Sequence, residues 1–153
     1  MNFSDLDQDS INNILDYIEV ELHWYHFSNP YKTFYGFFPN SKRVAGNHSL
    51  IFKNIKLTDQ YYLKFLPSNI TGLKLHSEIV SFNEELFRFK KLKYLEIYTE
   101  KILFIPKSFN LALPELESLK FIRKDSDYST IKVEEFNLKD CVSLISLELE
   151  LEF

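Results

Sequence analysis

The sequence predicts an α/β solenoid in which each repeat adds one short parallel strand. Two observations predict it. A beat of apolar residues recurs four times: Ile70-x-x-Leu73-x-Leu75, Leu92-x-x-Leu95-x-Ile97, Leu116-x-x-Leu119-x-Phe121 and Leu144-x-x-Leu147-x-Leu149. The starts at 70, 92, 116 and 144 lie 22, 24 and 28 residues apart, the period of units that each contribute one strand and one connector. The last two anchors of each beat are two residues apart, so they share one side of a strand and the residues between them face the other way.

The elements follow in chain order. Residues 7–26 read as a helix, because Ile11, Ile14, Leu15, Ile18 and Leu22 make one apolar stripe. Asp7 or Asp9 suits its start, where free amides and the positive end of the helix dipole attract a carboxylate. Asn29-Pro30 ends it. Residues 31–46 are aromatic and irregular, with Tyr31, Phe34, Tyr35, Phe37 and Phe38, and read as a cap over the first end of the array. The chain thus divides into a helix-and-cap segment, 1–46, and a repeat array, 47–153. A degenerate fifth beat precedes the four, with Leu50, Phe52, Ile55 and Leu57 standing for Leu73, Leu75, Glu78 and Val80. Asp59–Leu66 and Glu84–Phe89 read as short connector helices, the first burying Tyr62, Phe65 and Leu66, the second Leu86 and Phe89. The connector 122–140 is the longest and most polar. The end, Leu147-Glu-Leu-Glu-Leu-Glu-Phe153, stops within a repeat, leaving a strand edge and an apolar layer open. Either that edge pairs with another molecule or the chain is a piece of a longer array, and the latter is the expectation.

Composition narrows the function classes. Apolar residues make up 45% of the 153, as in an ordinary folded domain. No apolar run is long enough for a membrane span. The acidic, polar start lacks the basic and apolar regions of a secretion signal, and one cysteine cannot form an internal disulfide. An intracellular setting, cytoplasmic or nuclear, is expected. The net charge is −4 and basic residues are scattered, so no nucleic-acid partner is expected.

These beats resemble the leucine-rich repeat family, whose pattern is L-x-x-L-x-L followed by x-x-N/C-x-L. Val80 and Ile102, ten residues after Ile70 and Leu92, stand where the family places another buried aliphatic; Glu78 and Glu100 replace its asparagine. Pro67, Phe89, Leu113 and Cys141 precede the four starts by three. Strings such as Leu113-Pro-Glu-Leu-Glu-Ser-Leu-Lys-Phe are similar to the repeats of F-box-associated members. The start of the chain, residues 6–18, also resembles the first segment of an F-box: Leu6, Asp9, Ile11, Ile14, Leu15, Tyr17 and Ile18 match in place, whereas Asp7 replaces a proline and the later landmarks are missing. That resemblance implies a substrate receptor of a ubiquitin ligase, docking a Skp-type adaptor through Leu6, Ile11, Ile14, Leu15 and Ile18. Without it, the segment is a capping helix.

The outward residues of the array are the candidate site. Lys74, Glu96, Lys120 and Glu148 occupy the same central place in the four beats, so their charges would alternate across neighbouring strands about 4.8 Å apart. His76, Tyr94, Tyr98 and Ile122 flank them. Two readings fit: a solvated charge ladder that fixes register, or a partner-binding patch built on tyrosines. Chemistry is sparse. His23-x-x-His26 with Glu19 falls short of the three or four well-placed ligands a zinc site needs, and no nucleophile triad or phosphate loop is present. The expected function is therefore non-catalytic binding of a protein through the strand face or the open 147–153 edge, without cofactor or metal; self-association through that edge and a small metal-binding or hydrolytic protein are the alternatives.

Overall fold

The computed structural model describes residues 6–23, 43–45, 48–50, 53–104, 112–124 and 143–152, with backbone alone at 43–45, 48–50, 101–104 and 151–152. The fold is α/β: a sheet of six parallel strands with few helices. The strands are β1 (Glu19–Leu22), β4 (Asn54–Leu57), β5 (Gly72–His76), β7 (Tyr94–Thr99), β9 (Ser118–Lys124) and β10 (Ser146–Glu152), and their order across the sheet is their order in the chain. Two pairs stand apart from it. β2 (Arg43–Ala45) and β3 (His48–Leu50) are antiparallel, while β6 (Ile79–Ser81) and β8 (Lys101–Phe104) are parallel, with Val80 opposite Ile102.

The anchors set the register. Ile55, Leu73, Leu95, Leu119 and Leu147 form one row across the sheet, and Leu57, Leu75, Ile97, Phe121 and Leu149 the next. Since side chains alternate along a strand, both rows project to one face. From β4 to β9 they are buried there against Leu63, Leu66, Ile70, Val80, Phe82, Leu86, Phe89, Leu92, Leu113 and Leu116. Burying each such side chain contributes about 1.5–3 kcal/mol, the dominant favourable term in the fold.

A repeated backbone bond marks where β5, β7, β9 and β10 begin. The Lys53 carbonyl accepts the amides of Thr71 and Gly72; Thr71 does the same for Lys93 and Tyr94, Lys93 for Glu117 and Ser118, and Glu117 for Ile145 and Ser146, all at 2.7–3.1 Å. One carbonyl with two lone pairs thus satisfies two donors that would otherwise lack partners at a strand entry.

The connectors cover the back of the sheet. A 3-10 turn, Gln60–Phe65, is opened by Asp59, whose carboxylate accepts the Tyr61 amide at 2.9 Å. Helix α2 (Glu84–Phe87) is opened by Asn83, which accepts the Glu85 amide at 3.1 Å. Arg88 donates at 2.5 Å to the carbonyls of Leu63 and Leu66, closing the preceding connector. Gln60 acts as a strand neighbour for β6: its amide accepts from Ser81 N at 2.6 Å and donates to Ser81 O at 2.5 Å.

Several expectations change. The helix predicted over 7–26 is shorter: α1 spans Gln8–Leu15, capped by Asp7, whose Oδ1 accepts the Ser10 amide at 2.7 Å. The chain then turns and enters β1. Ile18 and Leu22 satisfy a helical stripe, but Glu19-Val20-Glu21-Leu22 also alternates with period two, and all four of these residues pair with β4. The 1–46 segment therefore contributes a strand to the sheet. The fifth beat exists in a different phase, with Ile55 and Leu57 beside Leu73 and Leu75. In the first connector Leu63 is buried instead of Phe65, which stays 42% exposed; in the second, Leu86 and Phe89 are buried as expected. The aromatic stretch 31–42, the connector tip 125–142 and Cys141 lie outside the described residues.

Candidate functional site

The face opposite the core carries rows of polar side chains. The central row is Glu21, Lys56, Lys74, Glu96, Lys120 and Glu148, one from each strand in turn. Three carboxylates and three lysines thus share one line, and the predicted order Lys74, Glu96, Lys120, Glu148 is the observed one. Only Lys56 and Lys74 are like-charged neighbours. They resolve the repulsion by turning to β1: Lys56 Nζ lies 3.6 Å from Glu21 Oε1, and Lys74 Nζ lies 2.8 Å from Glu19 Oε2. That hydrogen bond to Glu19 raises the Lys74 pKa despite partial burial.

Lys74 can reach across β4 because the row beneath it is low. Gly72 stands between Asn54 and Tyr94 there. A Cβ at Gly72 would collide with Asn54 Oδ1, and the Asn54 amide is held by donating to Asp16 O at 2.6 Å, which ties the end of α1 to the sheet. Glycine leaves a depression of about 270 Å³ lined by Tyr17, Glu19, Asn54, Gly72, Lys74 and Tyr94, among others. A second, of about 300 Å³, sits at the far ends of β5 and β7 among His76, Ser77, Glu78, Tyr98, Thr99 and Glu100.

Glu96 is the hub of the face. Tyr94 Oη donates to its Oε2 at 2.6 Å, and His76 Nε2 lies 2.8 Å from its Oε1. The His76 ring packs on Tyr98, with centroids 5.4 Å apart. Burial by itself would raise the Glu96 carboxyl; the bond from Tyr94 and the contact with His76, with the positive charge of Lys74 nearby, outweigh it and hold the group below the usual carboxylate range. Burial, and then the bond to Glu96, push the Tyr94 phenol well above its ordinary value.

The predicted binding residues Lys74, His76, Tyr94, Glu96, Tyr98, Lys120 and Glu148 all lie on this face. Ile122 does not serve as an exposed contact: it flanks Tyr98 and Glu150 in register but is only 9% exposed. Alternation along a strand fixes the side a residue faces, not whether its neighbours leave it open. Glu19, Glu21, Lys56 and Asn54 were missed by the sequence reading; the alternation in Glu19–Leu22 was the available signal. On α1, Ile11 and Leu15 are buried and Ile14 is exposed at 38%, while Leu6 before the helix and Ile18 after it are half-buried. His23 follows β1 and lies 3.1 Å from Glu21; His26 is outside the described residues. Among the described residues no cluster of three or more metal-ligating side chains occurs, and no helix is long and apolar enough to cross a membrane.

The edge at β10 differs from the rest. Its core-side leucines, Leu147 and Leu149, are 45% and 42% exposed, and Ile145 before them is 85% exposed. Ser146 donates toward β9, to Glu117 O at 3.0 Å. In a parallel ladder, successive residues alternate the side to which they bond, so Leu147, Leu149 and Leu151 aim their N–H and C=O groups at the outer side. Among the described residues no strand pairs there. On the polar face Lys120 Nζ meets two carboxylates, Glu148 at 3.1 Å and Glu150 at 3.6 Å. The neighbouring Glu150 and the bond from Lys120 lower the Glu148 carboxyl from its ordinary value, and the Glu148 carboxylate beside it raises Glu150.

The chain matches no family model, no curated protein and no solved structure. Its own geometry carries the functional argument.

Proposed function

We propose that this chain is a non-catalytic protein–protein interaction module, an irregular leucine-rich-repeat-like solenoid that holds its partner along the β10 edge. The observation that carries the reading is the coincidence on β10 of two half-exposed core leucines with a row of backbone groups that lacks a strand partner among the described residues. Such an edge suits strand addition, in which backbone bonds give affinity and side-chain pairs give selectivity. The solenoid reading is supported by the repeated carbonyl bridge at the entries of β5, β7, β9 and β10. The middle of the polar face is the weaker docking candidate, because Lys74, Glu96 and Lys120 are already engaged with Glu19, Tyr94, His76 and Glu148.

A second reading, an F-box-type substrate receptor, is favoured by the exposure of Ile14 and Tyr17 at the end of α1. In it these residues would meet a Skp-type adaptor, while Ile11 and Leu15 hold the helix on the domain. One experiment separates the two: capture from eukaryotic lysate with wild type, Leu149→Lys and Ile14→Asp, each checked by circular dichroism for retained fold. The edge reading expects a protein that Leu149→Lys loses and Ile14→Asp keeps. Recovery of a Skp-type adaptor with a cullin, lost only with Ile14→Asp, would replace it with the receptor reading.

A further inference from the structure

We infer that the β10 edge takes an extended strand of alternating aliphatic and basic residues from a partner polypeptide. This rests on the reading of β10 as the docking edge and adds the chemistry of its occupant.

Charge decides it. A strand laid beside β10 extends the rows already present. On the core side it meets Leu147 and Leu149, so alternate residues must be aliphatic to cover them. On the polar side it meets Glu148 and Glu150. Those two carboxylates share Lys120 as their only ion-pair partner among the described residues, so the edge carries excess negative charge. Directly opposed opposite charges stabilise a strand pair and like charges destabilise it. The chain itself uses the complementary pattern inside the sheet: β4 presents Ile55-Lys56-Leu57 and β5 presents Leu73-Lys74-Leu75, aliphatic inward and lysine outward.

A second copy of this chain fits poorly. Head-to-tail stacking would place β1 against β10, and the outward residues of β1 are Glu19 and Glu21. Glu21 belongs to the same row as Glu148, so carboxylate would face carboxylate. Two β10 edges placed together would set Glu148 and Glu150 against themselves.

The test uses the full chain and two labelled peptides, acetyl-Thr-Leu-Lys-Leu-Lys-Leu-Thr-amide and its counterpart with glutamate for both lysines. Fluorescence anisotropy gives affinity, amide exchange at Leu147 and Leu149 reports pairing, and light scattering gives the protein's mass. The lysine peptide is expected to protect both amides and to bind at least about tenfold more tightly than the glutamate peptide, with the gap closing as salt screens the pairs. Glu148→Lys with Glu150→Lys should reverse the preference. If the glutamate peptide protects the amides equally, the occupant's chemistry is wrong while the docking edge stands. If neither peptide protects them, the inference fails together with the edge reading. A dimer whose Leu147 and Leu149 amides are protected without peptide would make a second copy the occupant and overturn the proposal.

Discussion

Replacing Glu96 by alanine removes the centre of the polar face. The wild-type carboxylate accepts from Tyr94 at 2.6 Å and meets His76 at 2.8 Å, with its side chain only 13% exposed. A hydrogen bond to a charged group contributes about 1.5–3 kcal/mol. Tyr94 and His76 are half-buried and regain some water when the carboxylate goes, and Glu96 no longer bears the cost of its own burial, so the two bonds count at the low end. The net loss expected for Glu96→Ala is about 2 kcal/mol. Glu96→Gln keeps one acceptor for Tyr94 and loses the charge, so it should lose about half as much. The folded-state pKa of Glu96 lies below its ordinary value. A carboxyl depressed in this way stabilises the fold fully above its unfolded pKa and loses that contribution as pH falls through the folded pKa. The gap between wild type and Glu96→Gln should therefore be full at pH 7 and shrink in acid below the usual carboxylate range. Urea denaturation followed by circular dichroism at pH 7 and in acid measures both. A loss for Glu96→Ala under about 0.5 kcal/mol, within the range of ordinary surface changes, or a gap that widens in acid, would refute the reasoning.

Three further outcomes are expected. Phe82 is fully buried, so Phe82→Ala should cost about 3–5 kcal/mol in urea unfolding, with the cavity adding to the lost transfer energy. Gln60→Ala removes both side-chain bonds to Ser81; it should cost about 1–2 kcal/mol, and the Ser81 amide should exchange markedly faster with deuterium. Gly72→Ala would push the Asn54 amide off Asp16 O and should lose about 1–2 kcal/mol. Gly72→Ala combined with Asn54→Ala should then cost less than the sum of the two single changes, because the collision is gone; strict additivity would show that the two residues do not collide.

The register of β5, β7, β9 and β10 was legible because the same three anchors recur in each beat, and only one alignment places all of them on one face. The charge row Lys74, Glu96, Lys120, Glu148 followed from that alignment alone. β1 was hidden because Ile18 and Leu22 belong to a helical stripe and a strand alternation at once; Val20, off the stripe, was the discriminating residue. The phase of β4 was hidden because Leu50, Phe52, Ile55 and Leu57 offer two spacings of the same kind, and the packing of Ile55 and Leu57 beside Leu73 and Leu75 chose between them. Neither the shielding of Ile122 nor the turn of Lys74 toward Glu19 was readable, since both depend on neighbours distant in sequence: Tyr98 and Glu150 in one case, the gap over Gly72 in the other.

The measurement that bears most directly on the central claim is residue-resolved amide exchange across β10 in the free protein. With β10 docked on β9 and open on its other side, Ser146, Glu148 and Glu150 should exchange slowly while Leu147, Leu149 and Leu151 exchange fast. Uniform slow exchange along the strand would mean that the edge is already covered, uniform fast exchange that β10 is not docked; either result contradicts an open edge waiting for a partner strand.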